Sequence, residues 1–278
     1  MGMIQMIDSL SSLSDVSIKV EIFNEPMQVR KMMIDSSADL AVIPTTMAAL
    51  LYNRGLDYSI VAIPVWGTLY LFGRDSSVKS WKDLKGKRVN LMDKGMTPDL
   101  LFRHLLVKNG VSIDDIEIDY SFPTHVDLAN AIAAERAELG VISEPFVSIA
   151  MKRNNHLFQI FDLDAEWRKI EKTPIPQTAL IGRRSFLAAN PQLLKKILEA
   201  CRKSSVWVNS NPDSAAALIV KCGILNDAGV AKSAIPRSNL KFYEIKEVKN
   251  EVEAFLKVFY EMNPDIIGGK MPDENFYK

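Results

Sequence analysis

The sequence predicts an α/β protein built as two similar lobes. Segments with strand periodicity alternate with segments of helical periodicity over roughly the first half of the chain, the pattern of repeated α/β units. With 278 residues, of which 47% are hydrophobic, the chain is long enough to bury two cores. A short internal echo agrees with this division, because residues 38–43 and 137–142 are identical at four of six positions. Each echo is expected to be a buried strand that leads into a helix.

The first α/β unit is expected to alternate helices and strands from the start of the chain. An amphipathic helix is predicted over 1–13, and alternating apolar residues predict a strand over 16–23. The next predicted elements are a helix over 27–35, a strand over 39–43, a helix opened by Thr45-Thr46 and a strand over 60–63. The two threonines therefore follow the carboxyl end of a strand, where open α/β sheets bind ligands.

The second unit repeats the alternation, and a helical tail follows it. Its predicted strands are 68–72, 87–92, 116–120 and 139–142, with helices from Pro98 to Asn109-Gly110 and over 126–135. From Asp162 the pattern is irregular, with a short helix at 165–168, a strand at 179–182 and helices begun by Asn190-Pro191 and Asn211-Pro212. The tail, including a helix over 248–262, is expected to be helical and structural.

The junction Asp93-Lys94-Gly95-Met96-Thr97-Pro98-Asp99 lies between a predicted strand and a predicted helix. Thr97 is a natural N-cap, Pro98 suits the first helical position, and Asp99 favours the positive end of the helix dipole. Gly95 would let a ligand approach the free N–H groups of the first turn. An anionic or strongly polar group could dock there, or the segment could be an ordinary strand-to-helix connection.

Composition excludes several classes of function. Lys+Arg and Asp+Glu both number 34, so no overall charge draws the chain to nucleic acid or to a membrane surface. No run reaches transmembrane length and no signal peptide is visible, although Met1-Gly2-Met3 need not be the natural start. Cys201 and Cys222 are expected to be buried thiols rather than a disulfide. Three scattered histidines make no metal set, and no cofactor is implied.

An ordered set of short motifs resembles a known family. The motifs are Ala38-Asp39-Leu40-Ala41, Pro44-Thr45, Leu51-Tyr52-Asn53-Arg54-Gly55, Trp66-Gly67-Thr68-Leu69-Tyr70, Asp83-Leu84-Lys85-Gly86-Lys87, Thr97-Pro98-Asp99, Ser143-Glu144-Pro145-Phe146 and Asn211-Pro212. Together they resemble the extracytoplasmic solute-binding proteins of ABC importers, in the branch of the sulfonate, nitrate and thiamine-precursor (NMT1/THI5-like) binding proteins. The resemblance covers nearly the whole chain in the right order.

The resemblance implies the type II periplasmic-binding-protein fold. Its two lobes, each a mixed sheet flanked by helices, would be joined by two crossing strands and close on a small-molecule ligand by hinge motion. Lobe one would comprise residues 1–72 and 183–278, and lobe two residues 73–182. The partners would be the ligand and a membrane permease, for a monomer that is periplasmic or anchored as a lipoprotein. Family members usually begin with a strand and a glycine-containing loop, and the comparison with that pattern predicts that this sequence lacks the first strand and the export signal.

The resemblance also implies where the ligand contacts lie. In lobe one, Thr45 and Thr46 would offer hydroxyls and N–H groups, and Trp66-Gly67 would supply an apolar face at the hinge. Tryptophans more often pack than bind, but the neighbouring glycine favours contact with the ligand. In lobe two, the contacts would come from the strand ends and helix starts. These residues are Gly95, Met96, Thr97, Phe122, Ser143 and Glu144. Glu144 could accept hydrogen bonds from a ligand or cap its own helix.

These residues suggest a small organic ligand with an anionic end or an aromatic body. The helix N-terminus favours an anionic group, while Trp66, Met96 and Phe122 favour an apolar or aromatic one. No arginine stands at an obvious strand end to clamp a small oxyanion. The alternative is an enzyme on the same fold, a synthase or dehydratase of a cofactor pathway. That reading has only Glu144 as a plausible catalytic group.

Overall fold

The computed structural model describes residues 1–10, 17–23, 26–92 and 94–278. The strands are β1 Leu40–Pro44, β2 Tyr58–Trp66, β3 Leu69–Gly73, β4 Arg88–Asn90, β5 Glu117–Asp119, β6 Leu139–Ser143, β7 Phe158–Asp162, β8 Pro176–Arg183 and β9 Leu240–Glu244. The α-helices are α1 Ile4–Asp8, α2 Pro26–Ile34, α3 Thr45–Asn53, α4 Thr97–Lys108, α5 His125–Ala133, α6 Phe146–Arg153, α7 Leu163–Glu171, α8 Arg184–Ala189, α9 Pro191–Ser210, α10 Pro212–Lys221, α11 Ala228–Ala234 and α12 Ile245–Met262. Among these helices, none combines the length and apolarity needed to cross a bilayer.

The chain divides into two compact units. Unit one comprises Met1–Trp66 and Ile175–Lys278, and unit two comprises Gly67–Pro174. The chain therefore leaves unit one after Trp66 and returns to it at Ile175. Strands β3 and β8, which follow these two points, each lie within the sheet of a single unit.

Unit one contains a four-stranded sheet in the order β1-β8-β2-β9. Its ladders are all antiparallel, and β8 is paired on both sides, by β1 from Leu40↔Gly182 to Pro44↔Thr178 and by β2. Apolar side chains of the sheet pack with those of α1 and α9, among them Val61, Leu180 and Leu198. Strand β8, which lies between β1 and β2 in this sheet, therefore comes from a part of the sequence far from both.

Unit two contains a five-stranded mixed sheet in the order β5-β4-β6-β3-β7. Strand β4 is parallel to β5 and β6, whereas β3 is antiparallel to β6 and β7. Helices α5 and α6 pack on this sheet through a buried cluster that includes Phe72, Leu128 and Val147. Because β4, β5 and β6 run in the same direction, the loops after their carboxyl ends meet at one edge of the sheet.

The internal echo corresponds to equivalent strands of the two units. Strands β1 and β6 each pair antiparallel with the strand that follows a change of unit, and Leu40 and Leu139 each lie opposite a glycine. A Cβ atom at Gly73 would lie 2.0 Å from the Glu138 carbonyl oxygen, and one at Gly182 would lie 2.5 Å from Leu187 Cδ2. Gly73 and Gly182 thus occupy matching positions in the two units, and at each of them neighbouring atoms leave no room for a side chain.

The predicted secondary structure needs correction at three strands. The strand predicted over 16–23 is absent from residues 17–23, where Val20 and Ile22 are exposed. Residue 16 lies outside the described residues, as does the end of the helix predicted over 1–13. Alternation alone did not produce a strand there, because no ladder pairs with 17–23 in the part of the chain that the structure describes. Strands β7 and β9 were not predicted, and β9 shows that the tail is not purely helical.

The two cysteines are free thiols, as predicted. Cys201 is buried in α9 and Cys222 is partly buried at the end of α10. Burial raises the pKa of the Cys201 thiol to about 12. This thiol is therefore protonated and unreactive at neutral pH.

Candidate functional site

In unit one, β1 leads directly into α3 at the predicted threonine pair. Pro44 ends the strand, Thr45 and Thr46 form the first turn of the helix, and both threonines are only 1% exposed. The Thr45 Oγ1 atom is buried and has no hydrogen-bond partner among the described residues. Buried hydroxyls normally have a partner, so this oxygen requires an explanation.

Two further side chains at the same end of the sheet share this property. Pro44 pairs with Thr178 in the β1–β8 ladder, so Thr178 and the preceding Gln177 lie at the end of β8 where β1 gives way to α3. Within the described residues, Gln177 Oε1 and Thr178 Oγ1 are also buried without a hydrogen-bond partner. Gln177 and Thr178 were not among the predicted site residues, although two polar residues just before the apolar run of a strand were a visible signal.

Trp66 lies at the same end of the sheet, where it pairs with Pro176. Its ring is 3% exposed and packs edge-on against Tyr243, with ring centroids 5.7 Å apart and an interplanar angle of 84°. Its indole Nε1–H donates to the carbonyl oxygen of Lys241 at 2.8 Å. The described contacts of Trp66 are therefore those of a packing residue in unit one.

Gly67, the first residue of unit two, makes room for an acidic side chain. A Cβ atom at this position would lie 2.4 Å from Asp164 Cβ, closer than two carbon atoms can approach. Asp164 is buried and its Oδ2 accepts a hydrogen bond from Arg168 Nε at 2.6 Å. The close approach of Asp164, in helix α7, is thus sufficient to explain why residue 67 is a glycine.

The helix predicted to begin at Pro98 is present, but it begins one residue earlier, at Thr97, and its cap therefore differs from the expectation. Thr97 is the first helical residue of α4, and Met96 occupies the cap position without a side-chain hydrogen bond. Gly95 has φ = +78°, a left-handed conformation that favours glycine. Its N–H donates to Asp99 Oδ2 at 2.8 Å, so Asp99 folds back onto the turn before its own helix. Asp93 lies outside the described residues.

Asp99 is the buried centre of a partly buried polar cluster at the start of α4. Its Oδ1 accepts hydrogen bonds from Arg103 Nε at 2.6 Å and from the Tyr120 hydroxyl at 2.7 Å. The Tyr120 hydroxyl in turn accepts from Arg103 at 2.7 Å. Burial, together with the hydrogen bond to Asp99, raises the pKa of Tyr120. The positive end of the α4 dipole is therefore already matched by a carboxylate of the same helix.

Ser143 is the last residue of β6 and Glu144 follows it, at the same kind of strand-to-helix junction as the threonine pair of unit one. Glu144 is 7% exposed, and its carboxylate accepts from the Ser148 N–H at 3.2 Å and from the Ser148 hydroxyl at 3.1 Å. Two roles were predicted for Glu144, ligand contact and capping of its own helix. These hydrogen bonds are those of a residue that caps helix α6. The Ser143 hydroxyl lies 3.5 Å from Nδ1 of His125.

His125 is a neighbour of Ser143 that the sequence analysis did not place in the site. Its ring stacks on Phe146, with centroids 5.3 Å apart and an interplanar angle of 3°. Burial lowers the pKa of His125 to about 4, so the imidazole is neutral at pH 7. Phe122 and Phe146 are partly buried against the core cluster of unit two, which was described above. The signal for His125 was its place at the first helical position after a predicted strand and loop.

The site residues thus fall into two groups, each described within its own unit. In unit one, Thr45, Thr46 and Trp66 share the sheet end with Gln177 and Thr178. In unit two, Met96 and Thr97 follow β4, Phe122 follows β5, and Ser143 ends β6, so the parallel strands bring them to one edge. No group of acidic, histidine or cysteine side chains in the described residues could hold a metal ion.

Comparison with known proteins identifies the family of this chain and the known structures that share its fold. A family model described as NMT1/THI5 like matches residues 14–215. A Brucella abortus protein named as a binding protein is 25% identical over 143 residues, which cover 51% of this chain but only 43% of the Brucella protein.

Two crystal structures resemble the whole chain. An ABC transporter protein from Parabacteroides distasonis has a TM-score of 0.84 at 24% identity, over 99% of this chain and 94% of that one. The periplasmic aliphatic sulphonate binding protein SsuA from Escherichia coli has a TM-score of 0.76 at 20% identity, over 94% and 89% of the two chains. At these identities the likeness concerns the fold.

Proposed function

Because the chain belongs to the NMT1/THI5-like family and has the two-lobed fold of periplasmic binding proteins, we propose that it is the solute-binding component of an ABC importer. It binds a small organic molecule reversibly and delivers it to a membrane permease. It acts outside the cytoplasm, as a monomer, and it makes or breaks no covalent bond. Solute binding is the function named for SsuA, whose structure this chain resembles.

The buried oxygens of unit one carry this proposal. Thr45 Oγ1, Gln177 Oε1 and Thr178 Oγ1 lie at one end of the sheet without a hydrogen-bond partner in the described structure. Leaving such atoms unsatisfied costs about 1–3 kcal/mol each, so a folded protein keeps them where a ligand or ordered water completes the bonds. A polar organic ligand would find both donors and acceptors here.

A ligand screen tests the proposal. Thermal shift is measured with a set of aliphatic and aromatic sulfonates, carboxylates and vitamin precursors, since a ligand that binds the native state raises the melting temperature. We expect a compound that raises the melting temperature and is recovered unchanged by mass spectrometry. Conversion of that compound to a product would instead support the enzyme alternative.

A further inference from the structure

A cavity of about 410 Å³ opens in unit one, at the opposite end of β8 from the threonine site formed by Thr45, Gln177 and Thr178. It is bordered by Arg184, which follows β8, and by Glu244 at the end of β9. Thr178 and Arg184 are six residues apart, which is about 20 Å along an extended strand. The cavity is therefore a separate feature of unit one, and its volume lies in the range of small-molecule sites.

The floor of the cavity is apolar. Val61, Leu187, Leu194 and Leu198 line it; the first, second and fourth belong to the buried core cluster between the sheet and α9, and Leu194 packs against that cluster. These side chains come from a strand and two helices, so their positions are fixed by the packing of the unit. An alkyl chain placed on this floor would remove apolar surface from water on both sides of the contact.

The rim of the cavity is mostly cationic. Three cationic side chains, those of Arg184, Lys246 and Lys278, lie there with one acidic side chain, that of Glu244. Arg184 pairs with Asp57 and Lys246 pairs with Glu244 at 2.8 Å, but both cations are substantially exposed, with 41% and 74% of their side chains accessible. Exposed ion pairs contribute little to stability, so these cations can exchange their partners for a ligand head group.

We propose that this cavity binds a medium-chain fatty acid, with its alkyl chain on the leucine floor and its carboxylate at Arg184 and Lys246. The apolar floor alone would accept any alkyl chain. The cationic rim adds the preference for a carboxylate over a neutral or cationic head group. Binding here is independent of the solute that the threonine site takes.

Titration calorimetry with sodium decanoate tests the proposal on the full chain. We expect one decanoate per chain, with binding about tenfold weaker for Lys246→Glu and for decan-1-ol in place of decanoate. Lys241→Glu makes the same charge change at an exposed position outside the cavity and should leave the affinity unchanged. Equal affinity of the two lysine variants for decanoate would overturn the role of the rim.

A second pair of variants tests the floor. Leu194→Trp fills the cavity and should abolish the calorimetric signal, whereas Val206→Trp places the same ring on an exposed face of α9 and should not. Melting temperatures within a few degrees of the parent would show that both variants fold. Decanoate binding that survives Leu194→Trp, or no saturable binding to the parent protein, would refute the site.

Discussion

Thr45 and Thr178 each bury a hydroxyl oxygen that has no hydrogen-bond partner among the described residues. Replacing each threonine by valine keeps the shape and removes the unsatisfied group. We therefore expect Thr45→Val and Thr178→Val to leave the free energy of unfolding unchanged or to raise it by up to about 1 kcal/mol. The same variants should lose most of the melting-temperature rise given by the compound found in the screen.

Thr124→Val is the matched control for these variants. The Thr124 hydroxyl accepts the N–H of Asp127 and caps α5, so its loss should cost about 1 kcal/mol and leave ligand binding intact. Urea unfolding and thermal shift measure the two effects separately. If Thr45→Val and Thr178→Val destabilise the free protein while ligand binding persists, their oxygens serve the fold rather than a ligand.

His125 should make the stability of the protein depend on pH. Its pKa is lowered to about 4 in the folded protein, below the value near 6.5 of an unfolded chain. As the pH falls from about 6.5 towards 4, the unfolded chain takes up a proton that the folded one does not, so the free energy of unfolding decreases. His125→Gln should show a smaller decrease.

Urea titrations at pH 7 and pH 5 measure this difference. His156→Gln, at an exposed position in a loop, serves as the control and should keep the pH dependence of the parent. A parent and a His125→Gln variant with the same loss of stability between the two pH values would show that His125 is not the group responsible.

At the scale of one element, helix α4 depends on the buried carboxylate in its first turn. Asp99 accepts hydrogen bonds from Gly95, Arg103 and Tyr120, so Asp99→Asn removes a buried charge that faces the partly buried guanidinium of Arg103. We expect a loss of about 2–4 kcal/mol in the free energy of unfolding, measured by urea denaturation.

Asp213→Asn is the comparison for Asp99→Asn. Asp213 also lies in the first turn of a helix, α10, but its side chain is 78% exposed and pairs with Lys232 on the surface. Its replacement should cost less than about 1 kcal/mol. Similar losses for the two variants would mean that the buried cluster does not hold the start of α4.

The elements show which parts of the structure local sequence can predict. Strands β1 and β6 and the helices after them were predicted, because apolar runs ending in proline or small polar residues carry that signal locally. The segment 17–23 has the alternation of a strand but no partner strand in the described structure, and pairing is not a local property. Strand β9 was missed although buried Leu240 and Phe242 alternate with exposed neighbours.

The candidate site was predictable to the same extent. Thr45 and Ser143 were predicted because each lies at the junction of a strand and the segment leading into a helix. Gln177 and Thr178 reach the same end of the sheet as Thr45 only through the register of β1 with β8, whose residues are more than a hundred positions apart in the chain. Contacts of that kind depend on tertiary structure, so sequence periodicity could not indicate them.

At the scale of the whole molecule, the division into units predicts that unit two can fold alone. Residues 67–174 form one continuous segment with their own five-stranded sheet and buried core. We expect this fragment to show a cooperative urea transition, followed by circular dichroism. Residues 1–66 should remain unfolded by the same measurement, because β1 and β2 are not neighbours in their sheet. A cooperative transition in the 1–66 fragment would contradict this account.

The position of β8 between β1 and β2 has a consequence for the nascent chain. Both strands leave the ribosome early, but the strand that joins them ends at Arg183, after all of unit two has been translated. At about 5–20 residues per second, the 117 positions from Trp66 to Arg183 take about 6–23 seconds. For that interval the apolar β2 has unsatisfied edges exposed to other chains. Chaperones that bind extended apolar segments would therefore meet this protein during its synthesis, before either end of unit one can close.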